Sequence, residues 1–227
     1  MTKKAERKEL IAQVHREAII SAAQTLFFAK GFAHTTIDDI AEQAQYSKRT
    51  LYKYMVSKEA IYDEIALRAF QRFYESLALA SKLHPSNAAL SLWAVAEQAL
   101  RFAHEHPDYT NVILNIHVRS PDFDLNNPQH YQIGQYDQQI TAIFESIIAQ
   151  GIEQKIFRAN INPKFMAVHL ITIYIGAATT LIQKKHHLEN SLKLSPNDFI
   201  QQTMENITYT LMLSPEDFLK QAPPINF

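Results

Sequence analysis

Residues 37–65, with the sequence IDDIAEQAQYSKRTLYKYMVSKEAIYDEI, contain two short helical patterns that are separated by a two-residue turn. Ser47 can cap a helix over residues 48–55, because a serine hydroxyl accepts a hydrogen bond from a backbone N–H in the first turn of a helix. Only Gln45 and Tyr46 remain between this helix and the preceding one. Two short helices joined by so tight a turn are typical of a helix-turn-helix module.

Longer helical patterns flank this pair on both sides. Thr35 or Thr36 can cap the first short helix, because each precedes an aspartate by three residues. Ser57 can cap a fourth helix that runs to about residue 83. Gly31 supplies the C-terminal stop of a first helix over residues 9–30. The apolar residues of that first helix recur at the spacing of a buried stripe: Ile11, Val14, Ala18, Ala22, Leu26 and Ala29.

The helix over residues 48–55 has an apolar edge and an opposite polar face. At about 100° per residue, Leu51 and Met55 fall on the inner edge and Lys53 lies across the helix from them. Arg and Lys side chains on such a face can donate to guanine in the major groove, and tyrosines at its margins can reach phosphates. A solvated surface helix of the same composition is the alternative. The polar face carries Arg49, Thr50 and Lys53, with Tyr52 and Tyr54 at its margins and Lys48 at the helix tip.

Charge and composition narrow the class of protein. Residues 1–60 hold ten Lys and Arg against seven Asp and Glu, whereas the remaining residues hold twelve against sixteen. The chain contains no cysteine, so disulfides, thiol catalysis and cysteine-ligated zinc are excluded. The charged N-terminus lacks the apolar stretch of a signal peptide, which predicts a cytoplasmic protein. The apolar run over residues 165–182 includes polar residues throughout, and we interpret it as a buried helix rather than a membrane span.

Many positions across residues 10–65 occur in the order of a known DNA-binding module. They are Ile40-Ala41, Ser47, Leu51-Tyr52 and Ser57-Lys58-Glu59-Ala60, preceded by Leu26, Phe27, Gly31, Phe32, Thr35 and Thr36. This order closely resembles the helix-turn-helix module of TetR-family transcriptional regulators. The turn departs from the family pattern, which usually has glycine where this chain has Gln45. If Gln45 must adopt a positive φ, it does so with strain.

The resemblance implies a DNA-binding regulator, usually a repressor, that binds a palindromic operator. It also implies two groups of DNA contacts. Thr36, Tyr52, Tyr54 and Lys58 would contact phosphate, and Lys48, Arg49, Thr50 and Lys53 would face bases or nearby phosphates.

The rest of the chain is predicted to be helical as well, because prolines separate periodic segments and almost nothing alternates as a strand would. We expect an all-α fold of about nine helices, with an N-terminal three-helix helix-turn-helix domain over residues 1–57 and a C-terminal effector-binding and dimerisation domain over residues 58–227. Further helices are expected from Ser86 to Pro107, from Asp108 to about residue 119 and over residues 129–154. The helices over residues 165–184 and 196–213 are the expected homodimer interface. The alternative is that the first of these two is a central core helix.

A largely apolar effector is implied by the resemblance, and aromatic walls with a few polar groups would suit it. Core packing is the alternative for each candidate aromatic residue. Glu97 could neutralise a cationic ligand or could face solvent. The candidate lining residues are Trp93, Glu97, Phe102, Tyr109, Tyr131, Phe144, Phe165 and Tyr174.

Catalysis and metal binding are not expected. His104 and His106 point in different directions on one helix, as do His186 and His187, and no metalloprotease, nucleophile-elbow or phosphate-loop motif occurs. We therefore predict no catalytic residue, metal or cofactor. Two alternatives stay open: a DNA-binding regulator that is controlled by a protein partner without an effector, and an enzyme without a recognisable motif.

Overall fold

The computed structural model describes residues 3–118, 124 and 126–224. These residues contain eleven α-helices and no β-strand, and an isolated bridge pairs Phe157 with Met212. The all-α prediction is thus confirmed. The chain divides into two compact units, the first comprising the residues up to Arg68 together with residues 126–130, and the second comprising the remainder. The predicted division after residue 57 stays a prediction.

The first unit contains three helices and the beginning of a fourth. They are α1 (Lys3–Lys30), α2 (Ile37–Gln43), α3 (Lys48–Tyr54) and α4 (Lys58–Ala80). Thr36, Ser47 and Ser57 each accept a hydrogen bond from a backbone N–H in the turn that they cap, as predicted. Gly31 ends α1 with a φ of 83°, and its N–H donates to the Phe27 carbonyl.

The predicted apolar stripe of the first helix is wrong in its N-terminal half. Ile11 is 47% exposed and Val14 is 61% exposed, and the buried residues of α1 begin only at Ile19. Leu26 is half-buried and Ala29 is exposed. The reason is length, because α1 has 28 residues whereas its partners α2 and α3 have seven each. Periodicity gives the face of a helix, but burial requires a neighbour along its whole length.

The second unit contains most of α4 and the remaining helices. They are α5 (Ala88–Glu105), α6 (Pro107–Val118), α7 (Pro128–Glu153), α8 (Pro163–Gln183), α9 (Lys185–Asn190), α10 (Pro196–Leu211) and α11 (Pro215–Leu219). Asn87, rather than the predicted Ser86, caps α5. The two helices that the sequence analysis did not predict, α9 and α11, have only six and five residues and so leave no periodic pattern.

α8 is the most apolar helix of the second unit. Its length and composition would allow it to cross a membrane, but it packs against α5, α6 and α10 in this unit. Its inner face buries Leu170, Tyr174 and Leu181. Its outer face exposes Phe165 and Val168, which are 70% and 52% exposed.

Candidate DNA-binding surface

The N-terminus of α2 is held by a reciprocal pair of hydrogen bonds. Thr36 Oγ1 accepts from the Asp39 N–H at 3.1 Å, and the Asp39 carboxylate accepts from the Thr36 N–H at 2.8 Å. Lys30 Nζ, at the end of α1, donates to the same carboxylate at 2.8 Å. The bond from Lys30, followed by those from Thr36, lowers the pKa of Asp39 from 3.8 to about 2. Thr36 is exposed at this point, so its hydroxyl is accessible from outside.

The turn between α2 and α3 has the geometry of a Schellman motif. The Tyr46 N–H donates to the Ala41 carbonyl at 2.8 Å, and the Gln45 N–H donates to the Glu42 carbonyl at 3.0 Å. Gln45 has a φ of 58°, in the left-handed region that glycine adopts most easily. The positive φ that we considered for Gln45 is therefore present, and the turn closes without glycine.

α3 presents the two faces that its helical wheel predicts. Leu51 is fully buried and Met55 is 6% exposed, whereas Tyr52 is 47% exposed. Arg49 and Lys53 are exposed as well. The buried edge anchors α3, and cationic and phenolic groups point away from the unit.

Two candidate side chains on α3 interact within the unit. Lys48 Nζ lies 3.0 Å from Asp38 Oδ1 of α2, and this carboxylate raises the pKa of Lys48 by hydrogen bonding and by its charge. Thr50 Oγ1 lies 2.8 Å from Ser47 Oγ, the hydroxyl that caps the helix. The sequence analysis predicted neither of these interactions. Asp38 lies beside the tip of α3 in the structure.

Lys58, at the start of α4, points into the first unit. Its Nζ donates to the carbonyls of Phe32 and Thr35, both at 3.0 Å, and lies 4.2 Å from the centroid of the Phe32 ring. The side chain is half-buried, and it bonds the loop that leads from α1 into α2. The phosphate contact that the resemblance implies for Lys58 stays a prediction.

Tyr54 and Tyr46 both contact His15 of α1. The His15 ring stacks on Tyr54 at a centroid distance of 4.7 Å, and Lys53 Nζ lies 5.2 Å from the Tyr54 centroid. His15 Nδ1 is hydrogen-bonded to the Tyr46 hydroxyl at 2.7 Å. The sequence pattern did not single out His15, because a histidine on a helix carries no signal of its partner.

Residues 19–65 match the family model for bacterial regulatory proteins of the tetR family. The helix-turn-helix module of this chain is thus a TetR-family module. The matched residues include α2 and α3 and the start of α4.

The curated relatives that this chain matches include transcriptional regulators. It is 34% identical over 71 residues to TcmR of Streptomyces glaucescens, which covers 31% of this chain and 30% of TcmR. The chain thus matches less than a third of the length of that relative. It is 26% identical over 169 residues to IcaR of Staphylococcus epidermidis, a negative regulator of the biofilm operon icaADBC, which covers 66% of this chain and 86% of IcaR.

The solved structure of AibR, in complex with isovaleryl coenzyme A and operator DNA, has the same fold. It superposes with a TM-score of 0.66 at 17% sequence identity, covering 85% of this chain and 97% of AibR. This likeness concerns the fold and covers 85% of the chain.

The structure does not bring the eight candidate effector residues together. Trp93, Phe102, Phe144 and Tyr174 are each at most 9% exposed. Tyr131 and Phe165 lie on the surface instead, with exposed fractions of 54% and 70%. Glu97 forms an ion pair with Arg101 at 2.6 Å, and Tyr109 is half-buried beneath Arg72. Sequence periodicity could not assign the faces of Phe165 and Tyr174, because α8, which carries both, is apolar on several sides.

A small concavity with almost entirely apolar walls lies among the described residues of the second unit. Its volume is about 20 Å³, and Phe70, Phe73, Phe144 and Tyr174 contribute aromatic walls. Burial raises the pKa of the Tyr174 phenol. Larger concavities of about 300 to 490 Å³ are open to solvent.

Three buried polar atoms of the second unit form no hydrogen bond of normal geometry within the described part of the chain, although Thr110 is near enough to the Tyr174 phenol to oppose the rise in its pKa. They are Trp93 Nε1, Thr110 Oγ1 and Tyr174 Oη. A buried polar group without a partner is unfavourable by about 1–3 kcal/mol, so such atoms suit a water or a ligand. Within the same described residues, no group of three His, Asp or Glu side chains could hold a metal ion.

Proposed function

We propose that this TetR-family protein is a transcriptional regulator that binds a palindromic operator as a homodimer and releases it when a small, largely apolar molecule binds the second unit. The outward face of α3 carries this proposal. Arg49, Tyr52 and Lys53 are exposed there, while Leu51 and Met55 hold the opposite edge in the core. A short helix that presents cationic and hydrogen-bonding groups in this way fits the major groove.

The side chains of the DNA-binding surface divide into two roles. Arg49 and Lys53 face the bases, where they donate to guanine O6 and N7. Tyr52 and Thr36 donate to phosphates and so fix the register of the module on the duplex. Lys48, Thr50, Tyr54 and Lys58 support this surface through their contacts inside the unit and add phosphate or base contacts where their remaining donors allow.

Binding selection tests these roles. A random DNA library enriched by the wild-type protein supplies the operator, and a scrambled duplex of equal composition supplies the control. We expect Arg49→Ala to change the preferred bases, with a loss of about 1–3 kcal/mol at the affected position, because a bidentate contact to guanine is removed. Tyr52→Phe should weaken binding to both duplexes equally. Equal operator affinity for wild type and a Lys48/Arg49/Lys53 triple alanine variant would refute the assignment of α3.

Dimerisation through α8 and α10 is supported by their outward faces. Phe165 and Val168 of α8 and Leu213, two residues after the end of α10, are each more than half exposed, and a groove of about 300 Å³ lies between the two helices. Gly176 adds a close-approach point, because it is exposed and, beyond the backbone of its own helix, no atom of the described residues lies within 4 Å of where its Cβ would be. A second copy that covers this face would bury the apolar groups and place two α3 helices on the two half-sites of an operator.

Sedimentation velocity tests the interface with one substitution and a matched control. Val168→Asp places a charge on the outer face of α8 and should shift the protein from dimer to monomer at micromolar concentration. Leu79→Asp, at a leucine of α4 that is 68% exposed, should leave the dimer intact. A dimer that survives Val168→Asp places the interface elsewhere and leaves α8 as a core helix only.

Effector control is supported by the aromatic core around Phe144 and Tyr174 and by the buried polar atoms without partners. A ligand must widen the small cavity, so we expect its binding to shift the packing of α8 and its neighbours. Native mass spectrometry of the purified protein would detect a bound small molecule. A protein that carries no ligand, and whose operator affinity is unchanged by a metabolite extract, would instead be a regulator controlled by a protein partner.

The remaining features of the proposal follow from DNA binding. The DNA-binding domain comprises residues 1–57 and the effector and dimerisation domain residues 58–227, with the boundary at the cap of α4. A regulator of this kind acts in the cytoplasm, where its operator is, and needs neither catalysis nor a membrane.

A further inference from the structure

α3 is too short to set its own orientation. It has seven residues, and isolated helices of fewer than about 12 residues are marginal in water. In the first unit it packs against α1 and α2. The side chains that hold the two ends of α3 therefore decide the direction in which Arg49 and Lys53 point.

His15 of α1 contacts the residues that bracket α3. Tyr46 precedes the capping Ser47, and its hydroxyl lies 2.7 Å from His15 Nδ1 with the rings edge to face at 5.4 Å. Tyr54 is the last residue of α3, and its ring stacks on His15 with an angle of 26° between the planes. One side chain thus touches the turn before the helix and the end of the helix.

The backbone of the turn holds Tyr46 in place, so the contact between Tyr46 and His15 restricts the orientation of α3. The positive φ of Gln45 and the hydrogen bond from the Tyr46 N–H to the Ala41 carbonyl fix the backbone of Tyr46 relative to α2. Because the His15–Tyr46 hydrogen bond is partly buried, water competes for it less than at an exposed site. Rotation of α3 about its axis would break either this bond or the stack on Tyr54.

We infer that His15 is a positioning residue for DNA recognition, which holds α3 at the angle at which its outer face meets the bases. The inference rests on the proposed function, because it concerns the same DNA-binding surface. His15 acts through Tyr46 and Tyr54 and does not itself touch DNA. Base contacts require exact geometry, whereas phosphate contacts by flexible side chains tolerate a small rotation. Loss of His15 should therefore reduce discrimination between sequences more than it reduces affinity for DNA in general.

The test compares two dissociation constants for each variant. One is for the duplex that the wild-type protein enriches from a random library, and the other is for a scrambled duplex of the same length and composition. Their ratio measures discrimination. We expect Tyr46→Phe, which removes a single oxygen atom, and His15→Phe, which keeps an aromatic ring, to lower this ratio about three- to tenfold. His15→Ala, which removes the stack as well, should lower it further.

Two controls separate positioning from loss of fold. Gln13→Ala, at an exposed residue of the same helix, should leave the ratio unchanged. The double variant His15→Phe/Tyr46→Phe should be no worse than either single variant, because both remove the same hydrogen bond. The fraction of active protein, from titration at high DNA concentration, should stay near that of the wild type.

Three results would overturn the inference. An unchanged ratio in folded His15→Ala and Tyr46→Phe variants means that His15 does not position α3. A parallel loss of affinity for both duplexes means that His15 supports only the stability of the unit. If the wild-type protein enriches no sequence, the proposed function fails, and the positioning role fails with it. If the wild-type protein enriches a sequence but the variants have an unchanged ratio, only the positioning role fails.

Discussion

Replacement of Lys58 by methionine removes an ammonium group while it keeps a long side chain over the Phe32 ring. The ammonium donates to the carbonyls of Phe32 and Thr35, both at 3.0 Å, in a half-buried position. The resemblance to TetR-family regulators implies a phosphate contact for the same residue. The Lys58→Met variant separates the loop contacts from the phosphate contact, because only the loss of the loop contacts changes the stability of the free protein.

The magnitude follows from the two hydrogen bonds. A hydrogen bond to a charged group contributes about 1.5–3 kcal/mol. When the ammonium is removed, the two half-buried carbonyls regain part of the lost free energy by bonding to water. The cation–π contact with Phe32 adds about 0.5–1 kcal/mol, which a methionine sulfur against the ring replaces in part. We therefore expect Lys58→Met to lower the free energy of unfolding by about 2–3 kcal/mol. Affinity for DNA should also fall, because the freed loop leads directly into the cap of α2 at Thr36.

Urea denaturation of wild type and variant measures the first quantity, and fluorescence anisotropy with a labelled duplex measures the second. Lys53→Met is the matched control, since Lys53 is an exposed lysine on the outer face of α3. It should weaken DNA binding while it changes the free energy of unfolding by less than about 0.5 kcal/mol. If Lys58→Met behaves like Lys53→Met, with weaker DNA binding and unchanged stability, the loop contacts are unimportant and Lys58 acts on phosphate directly.

Three further predictions concern local geometry in the free protein. Gln45→Gly should raise the free energy of unfolding by up to about 1 kcal/mol in urea denaturation, because glycine adopts the φ of 58° without steric strain. Asp39→Asn should lower the free energy of unfolding at neutral pH. The lowered pKa of Asp39 means that its carboxylate stabilises the fold only while it is ionised, so the difference from wild type should disappear as the pH falls from 3.8 to about 2. An unchanged difference at pH 2 would contradict this. Gly151→Ala should lower the melting temperature, with a loss of about 1–3 kcal/mol, because its Cβ would lie 2.1 Å from a ring carbon of the buried Phe157; an unchanged melting temperature would contradict this clash.

Local features of the fold could be predicted because their chemistry lies within a few residues. The capping box of Thr36 and Asp39 needs only a hydroxyl and a carboxylate three positions apart, and Gly31 needs only its own conformational freedom. The burial of Leu51 and Met55 follows from helical period. For the same reason the position of the helix-turn-helix pair, and the residues on the outer face of α3, could be identified from residues 37–65 alone.

Features that depend on distant partners could not be predicted. Lys58 has its carbonyl partners 23 and 26 positions away, and His15 reaches Tyr46 across 31 positions. Nothing in the spacing of such residues distinguishes an inward lysine from one that faces DNA. The aromatic residues of the second unit present the same difficulty, because Phe165 and Tyr174 lie on one apolar helix but on opposite faces of it.

Lys48 explains why so modest a positive charge can serve a DNA-binding module. Its ammonium lies 3.0 Å from the Asp38 carboxylate, and both groups are more than half exposed, so the pair contributes little to stability. In a DNA complex a phosphate competes with Asp38 for the same ammonium, and the gain from Lys48 is only the difference between two ion pairs.

Non-specific affinity depends on the number of phosphates that are neutralised, so an acidic neighbour reduces it. In the proposed complex Arg49 and Lys53 would act through directed hydrogen bonds to bases, which we expect a nearby carboxylate to weaken less. We therefore expect the acidic residues of α2 to lower general attraction to DNA more than they lower recognition, and so to raise the ratio of specific to non-specific affinity.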